Sequence, residues 1–168
     1  MCHTLITASL ATLVLSTSAF ADIRVEFDEG APKDRFTISN VSGCTLDKGE
    51  VVIDLSSSAA GLIFDTTNQG AGVEVFQPLE FTRGQAMLTN TPKVKDGDNK
   101  VTLAFQDFKN GDAISFTIDV DDTIGQREIT VSSAEITGAA FMVKTMSGSA
   151  SAKFDGSATA QTKSSLCL

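Results

Sequence analysis

The sequence has no tryptophan, no tyrosine and a single histidine, His3. After residue 3, the chain therefore cannot form a Ser-His-Asp or Cys-His catalytic arrangement, or the usual zinc sites built from histidine. Without Trp or Tyr, a carbohydrate site would lack the stacking platforms with a polar tip that such sites commonly use. Catalysis would have to rest on carboxylates, as in glycoside hydrolysis, or on a Ser-Lys pair, and the sequence singles out neither.

Lys and Arg are also absent from the first 21 residues, so only His3 and the amino group of Met1 can carry positive charge there, which departs from the usual signal-peptide pattern. Residues 5–15 form a short apolar run, and Ala19 and Ala21 stand at the two positions that a signal peptidase reads. The run is shorter than the about 20 apolar residues that a membrane-spanning helix needs. We therefore expect residues 1–21 to be a cleavable signal peptide, and the product to be secreted or periplasmic without a stable membrane anchor.

The remaining chain, residues 22–168, is predicted to fold as one acidic domain. It keeps all 13 Lys and Arg residues against 21 Asp and Glu residues, for a formal charge of −8. This balance disfavours binding to nucleic acid or to anionic membrane surfaces, and it suits cations or basic partners.

Two cysteines, Cys44 and Cys167, remain once Cys2 leaves with the signal peptide. An even pair in an exported chain indicates a disulfide, with two free thiols as the alternative. The bond would attach the end of the chain to an early loop.

Apolar and polar residues alternate with a period of two along most of the chain, which is typical of strands with one buried face. Turn residues such as Asp47-Lys48-Gly49 and Asn110-Gly111-Asp112 separate the apolar runs. The predicted strands cover 22–28, 50–56, 72–76, 100–105, 113–120, 127–133 and 141–145.

This spacing predicts an all-β fold, a single antiparallel β-sandwich of Ig-like or jelly-roll type, with little helix after the signal. Residues 147–168 are rich in Ser, Ala and Thr and are expected to form a weak final strand or a partly ordered tail. The predicted core consists of Ile23, Val25, Phe27, Ile53, Leu103, Phe105, Ile114, Phe116, Ile118 and Val120.

Asp119, Asp121 and Asp122 form the strongest local constellation for chemistry. With Ile118 and Val120 facing the core, Asp119 and Asp121 share the opposite face of a strand and Asp122 opens the following turn. Three neighbouring carboxylates favour a cation, and calcium accepts six to eight oxygen ligands. The alternative is a solvated strand face followed by an acidic turn.

Further ligands for such a site would have to come from other loops. Asp65 and Glu128 are candidates, because each stands near a turn that could approach the same end of the sandwich. The Asp-Gly-Asp-Asn sequence at 96–99 is better interpreted as a hairpin turn than as a calcium loop.

Several segments of the sequence resemble those of a family of small exported bacterial proteins labelled "aggregation factor core". They are EGAPKDRF (29–36), SAAGLIFD (58–65), GAGVEVFQPLE (70–80), FTIDVDDT (116–123), REITVSSAEITGA (127–139) and the terminal Cys-Leu. The label derives from sponge cell-aggregation proteins, whose adhesion depends on calcium and carbohydrate. The resemblance implies adhesion by name and assigns no catalytic or binding residue.

Two function classes follow from the sequence. The first is a noncatalytic module for adhesion or matrix association, with an extracellular protein or polysaccharide as partner and calcium at Asp119, Asp121 and Asp122. The second is a small carboxylate-dependent hydrolase that acts on surface glycans. A cleft holding two carboxylates about 5–10 Å apart would favour the hydrolase.

Overall fold

The computed structural model describes residues 23–68, 72, 76–124, 130–163 and 166–167, and the predicted signal peptide lies outside them. Within this part of the chain the only helical segment is a 3-10 turn at Gln85–Met87, and no helix there is long and apolar enough to cross a membrane. Ten strands follow in order: β1 (Ile23–Asp28), β2 (Asp34–Asn40), β3 (Gly49–Asp54), β4 (Ile63–Asp65), β5 (Glu80–Arg83), β6 (Lys100–Phe105), β7 (Ala113–Asp121), β8 (Ala140–Thr145), β9 (Ser149–Lys153) and β10 (Thr159–Gln161).

The strands form two antiparallel sheets, which confirms the predicted all-β, sandwich-like fold. The first sheet has the order β10-β1-β2-β7-β4, and β5 also pairs with β7. The second has the order β6-β3-β8-β9. In the first sheet β7 is central: β2 pairs along one of its edges, while β5 and then β4 pair along the other.

One hydrophobic core joins the inner faces of both sheets. All ten residues predicted for the core are buried, with exposed fractions of 4% or less. Aromatic rings concentrate beside β7, where Phe116 stacks on Phe36 with ring centroids 5.3 Å apart and meets Phe81 edge to face. Such ring pairs stabilise the core beyond the area that they bury.

Strand β2 was not predicted, because polar residues at both ends hide its alternation. Phe36 and Ile38 face the core, but Asp34 and Asn40 are buried on the same side of the strand. Asn40 is satisfied there: its side-chain amide donates to the carbonyls of Cys44 and Phe108, and its oxygen accepts from Ser42.

One other predicted strand differs from the structure, a second can be compared only at its two ends, and the C-terminal segment differs in its regularity. The strand expected at 127–133 is wrong for its described part, since residues 130–133 contain no strand. Most of the strand expected at 72–76 lies outside the described residues. The Ser-rich tail is more regular than expected, because it contributes the paired strands β9 and β10 and buries Phe154 and Leu166 in the core.

Cys44 and Cys167 form a disulfide, as predicted, with their Cα atoms 6.0 Å apart. The bond joins the loop between β2 and β3 to the end of the chain across 123 residues of sequence. Asn40 and Ser42 hold the carbonyl of Cys44 by hydrogen bonds, so the disulfide is attached to a loop that is itself fixed to the core.

We predict that replacing both cysteines with alanine lowers the free energy of unfolding by about 3–5 kcal/mol, because the unfolded chain then regains the entropy of a very long loop. Urea denaturation of the double variant and of the parent protein measures the difference. The single variant Cys44→Ala should lose nearly as much stability. A double variant as stable as the parent would contradict the prediction.

Candidate metal centre

Strand β7 is buried on both faces along its whole length. Ile114, Phe116, Ile118 and Val120 point into the hydrophobic core. The alternate residues Ser115, Thr117, Asp119 and Asp121 are also shielded from water, and Asp119 and Asp121 are only 4% and 1% exposed. The predicted pairing of these two aspartates on one face of a strand is therefore present. They do not lie on a solvated strand face.

Strand β4 places a third carboxylate directly opposite the first. The register pairs Asp65 with Asp119, and the core residue Phe64 with Val120. Because side chains alternate, Asp65 extends from the same outer face as Asp119 and is 1% exposed. Like charges at directly opposed positions destabilise a strand pair.

Asp96 reaches the same place from the turn at 95–98. The turn docks on β4 through two backbone hydrogen bonds, from Gly97 N–H to the Phe64 carbonyl at 2.9 Å and from Phe64 N–H to the Asp98 carbonyl at 2.8 Å. Gly97 has a φ of 79°, a backbone conformation that residues with a side chain rarely adopt. Asp96 Oδ1 accepts the backbone N–H groups of Thr66 and Thr67 at 2.9 and 3.2 Å, immediately after β4.

Asp34 lies beside the cluster but has a structural role. Its two carboxylate oxygens accept backbone N–H groups from Gly30 and Val120, each at 3.1 Å. The Asp34 carboxylate thus links the β1–β2 turn to β7. We define the acidic cluster as Asp65, Asp96, Asp119 and Asp121, with Asp34 as its neighbour.

Burial raises the pKa of three of these carboxyls. The pKa of Asp65 rises to about 7 through burial, reinforced by Asp96, Asp121 and Asp119. The pKa of Asp119 rises to about 7 through burial and the charge of Asp121. For Asp34, burial outweighs the two backbone hydrogen bonds and again raises the pKa to about 7.

Among the residues that the structure describes, three buried oxygens of the cluster have no hydrogen-bond donor: both carboxylate oxygens of Asp65, and Oδ2 of Asp119. The carboxyl of Asp96 lies close enough to raise the pKa of Asp65, but two carboxyls can share a hydrogen bond only if one carries a proton. A buried carboxylate oxygen without a donor or a cation is costly, usually by several kcal/mol.

Gly72 stands directly over this pair of strands. A Cβ added to Gly72 would overlap Oδ2 of Asp121 and Oδ2 of Asp65 at the same time. The space between these two oxygens is therefore closed by backbone and admits no side chain from residue 72. A larger residue at position 72 would push these two carboxylates apart.

The structure brings together only part of the predicted ligand set. Asp119 and Asp121 converge as predicted, and Asp65, named from its position near a turn, lies opposite Asp119. Asp122 is buried just past the end of β7, but it is not among the charges that raise the pKa values of Asp34, Asp65 and Asp119. Glu128 lies outside the described residues.

Sequence reasoning missed Asp96 and Asp34. A turn is present at 96–99, but it does not join two paired strands as the expected hairpin turn would. It docks on β4 through backbone hydrogen bonds between residues more than 30 positions apart, which leave no local signal. In the described part of the chain, no three acidic, His or Cys side chains form a ready-made coordination shell. Metal binding would require the cluster carboxylates to close on the ion.

Comparison with known proteins adds no assignment. No protein-family model and no curated protein matches this chain. A structural comparison finds a family GH18 chitinase from Chromobacterium violaceum at 17% identity and a TM-score of 0.34, over 83% of this chain and 19% of the chitinase. A similarity this weak supports no conclusion about fold or activity.

The raised pKa values predict an unusual pH dependence for the metal-free protein. Asp34, Asp65 and Asp119 have folded-state pKa values near 7, above the ordinary value of 3.8. The folded state therefore holds more protons than the unfolded state between these values, and stability falls as the pH rises. We expect urea denaturation in EDTA to give a free energy of unfolding at least about 2 kcal/mol lower at pH 8 than at pH 5.

The variant Asp65→Asn with Asp119→Asn should show a shallower dependence over the same range, because two of the three titrating groups are removed. Equal pH slopes for the variant and the parent would assign the effect to other carboxyls.

Proposed function

We propose that this protein is a noncatalytic exported module for adhesion or matrix association, and that it depends on calcium bound at the acidic cluster. One observation supports the proposal: carboxylate oxygens of Asp65 and Asp119 are buried beside further carboxylates and have no donor within the described part of the chain. A divalent cation would replace the missing donors and offset the repulsion between the four carboxylates.

The donor set favours calcium among the common metals. All the ligands available in the acidic cluster are oxygens, whereas zinc sites are usually built from His and Cys. Calcium accepts six to eight oxygens in irregular geometry, whereas magnesium demands a near-ideal octahedron and keeps several waters. Asp96 is only partly buried, so the cluster has a side that is open to solvent and to an entering ion.

Calcium at this position would connect segments that are distant in sequence. Asp65 ends β4, Asp96 belongs to a turn docked on β4, and Asp119 and Asp121 end the central strand β7. An ion held by all four would tie this end of the first sheet together. We propose that calcium orders this end of the first sheet, and that the ordered end presents a surface to the partner of the module.

The burial of the cluster favours this reading over the glycan hydrolase. A catalytic acid must contact the glycosidic oxygen of its substrate, either directly or through one water. Asp65, Asp119 and Asp121 are at most 4% exposed, so a glycan chain could not reach their oxygens without rearrangement. The Cys44–Cys167 disulfide is compatible with export to an oxidising compartment.

Calcium should raise the melting temperature of the parent protein by about 5–10 °C when its concentration exceeds the Kd about 100-fold, because it binds only the folded state. The variant Asp119→Asn with Asp121→Asn should lose this rise. Without metal, the same variant should be more stable than the parent at pH 8, because it lacks two of the repelling charges. Differential scanning calorimetry in EDTA and in calcium measures both effects.

A matched control removes the same amount of charge elsewhere. Asp28 and Glu29 are exposed, so Asp28→Asn with Glu29→Gln should keep the full calcium response. Equal responses in the cluster variant and the parent would place any binding elsewhere, and no response in the parent would refute the calcium dependence.

Gly72→Ala tests the site without changing any charge. Its new methyl group would overlap one oxygen of Asp65 and one of Asp121, and would displace carboxylates that are proposed to bind the ion. We expect calcium affinity, measured by isothermal titration calorimetry, to fall at least tenfold. Gly156→Ala is the control, since a Cβ at that position meets nothing within 4 Å. Unchanged affinity in Gly72→Ala would contradict the proposed position.

A further inference from the structure

The outer face of the second sheet differs in charge from the rest of the protein. The side chains that point away from the core form three rows across the strands. The charged residues lie in the first and third rows. Lys100, Asp54 and Lys153 lie in one row, and Glu50 and Lys144 lie in another. The row between them is uncharged and consists of Thr102, Val52, Met142 and Ser151.

Two further lysines border this surface. Lys48 precedes β3, and Lys93 lies in the segment beside β6. We define the lysine face as Lys48, Lys93, Lys100, Lys144 and Lys153 together with the two carboxylates Glu50 and Asp54. Within the described residues, the only ion pair of these lysines joins Lys100 to Asp54, at 2.9 Å. A net positive face therefore stands on a chain of net charge −8.

Two adjoining grooves cross the lysine face. The first, of about 420 Å³, runs between Lys48 and Lys144 over Glu50 and Ala104. The second, of about 400 Å³, shares Glu50 and Ala104 and continues past Thr102 to Lys93 and Lys100. Together they form a continuous depression across β6, β3 and β8, with lysines at both ends.

We infer that the lysine face binds an extended anionic polysaccharide. A carboxylated or sulfated chain lying in the two grooves would meet lysines at both ends of the depression. Thr102, Asn90 and Thr91 offer hydrogen bonds to its hydroxyls. The three strands that the grooves cross span about 10 Å at the usual strand spacing, enough for several contacts along one chain.

The shape of the face favours a single polymer chain over an anionic membrane. A bilayer is an extended, nearly flat surface, so it cannot enter the two grooves. A narrow chain can lie in them and contact the lysines at both ends. The same argument disfavours a large acidic protein partner.

The inference rests on the proposed adhesion function, but its site is separate from the acidic cluster. The cluster belongs to the outer side of the first sheet, and the lysine face belongs to the second sheet. Polysaccharide binding can therefore be measured in EDTA, where failure of the calcium proposal has no influence on the result.

The test uses the exported chain with its disulfide and two immobilised probes, polygalacturonate and dextran sulfate, with neutral dextran as reference. We expect binding to at least one anionic probe and none to dextran, weakening as salt rises. Lys93→Gln with Lys144→Gln removes one lysine from each groove and should bind at least tenfold more weakly than the parent protein. Both lysines are exposed, and the variant should retain the parent melting temperature.

Lys109→Gln with Lys163→Gln removes the same charge from exposed positions away from the face, and should bind like the parent. Equal losses in the two variants would show that only net charge matters and would overturn the inference. Binding of the parent to neutral dextran as strong as to the anionic probes would also overturn the inference. Binding of the parent only to anionic phosphatidylserine vesicles would overturn it as well. If the free protein sedimented as a dimer, and Lys93→Gln with Lys144→Gln sedimented as a monomer, the face would be assigned to a second copy and the inference would be overturned.

Discussion

The burial of β7 on both of its faces is the constraint on which the rest of the structure depends. Its inner side chains fill the core, where Phe116 contacts Phe36 and Phe81. Its outer side chains end in two aspartates that water barely reaches. One nine-residue strand therefore supports both the hydrophobic core and the chemically unusual part of the molecule.

These two roles oppose each other energetically. Apolar burial and pairing with β2, β4 and β5 hold β7 in place, whereas repulsion among the carboxylates acts to separate β7 from β4. Protons, cations or both can relieve this repulsion, because each neutralises charge that the fold has removed from water. The stability of this end of the sheet is thus set partly by the solution around it.

The sequence was informative wherever the physical signal is local. Alternation alone identified the inward residues of β7, and hence the shared face of Asp119 and Asp121. It failed at β2, where buried Asp34 and Asn40 interrupt the apolar pattern, although each is hydrogen-bonded in the folded chain. A polar residue satisfied by distant backbone groups looks like a loop residue in sequence.

The acidic cluster shows the same division. Asp65 could be named because it stands near a turn, but its register against Asp119 follows from strand pairing across more than 50 residues. The contribution of Asp96 depends on the docking of its turn on β4, which is decided by backbone hydrogen bonds with no residue preference of their own. Tertiary pairing of this kind is not encoded in any short stretch of the chain.

The disulfide also determines how the domain responds to mechanical tension. A force applied between Ile23 and Cys167 is transmitted through the bond to Cys44, so the strands from β3 to β10 lie inside a closed covalent loop and carry none of it along their backbone. Only the β1–β2 hairpin and the loop after it can be drawn out, which is about 20 residues or roughly 70 Å of extended chain. A tethered module of this construction would lengthen by a short, fixed distance and then resist as a covalent link.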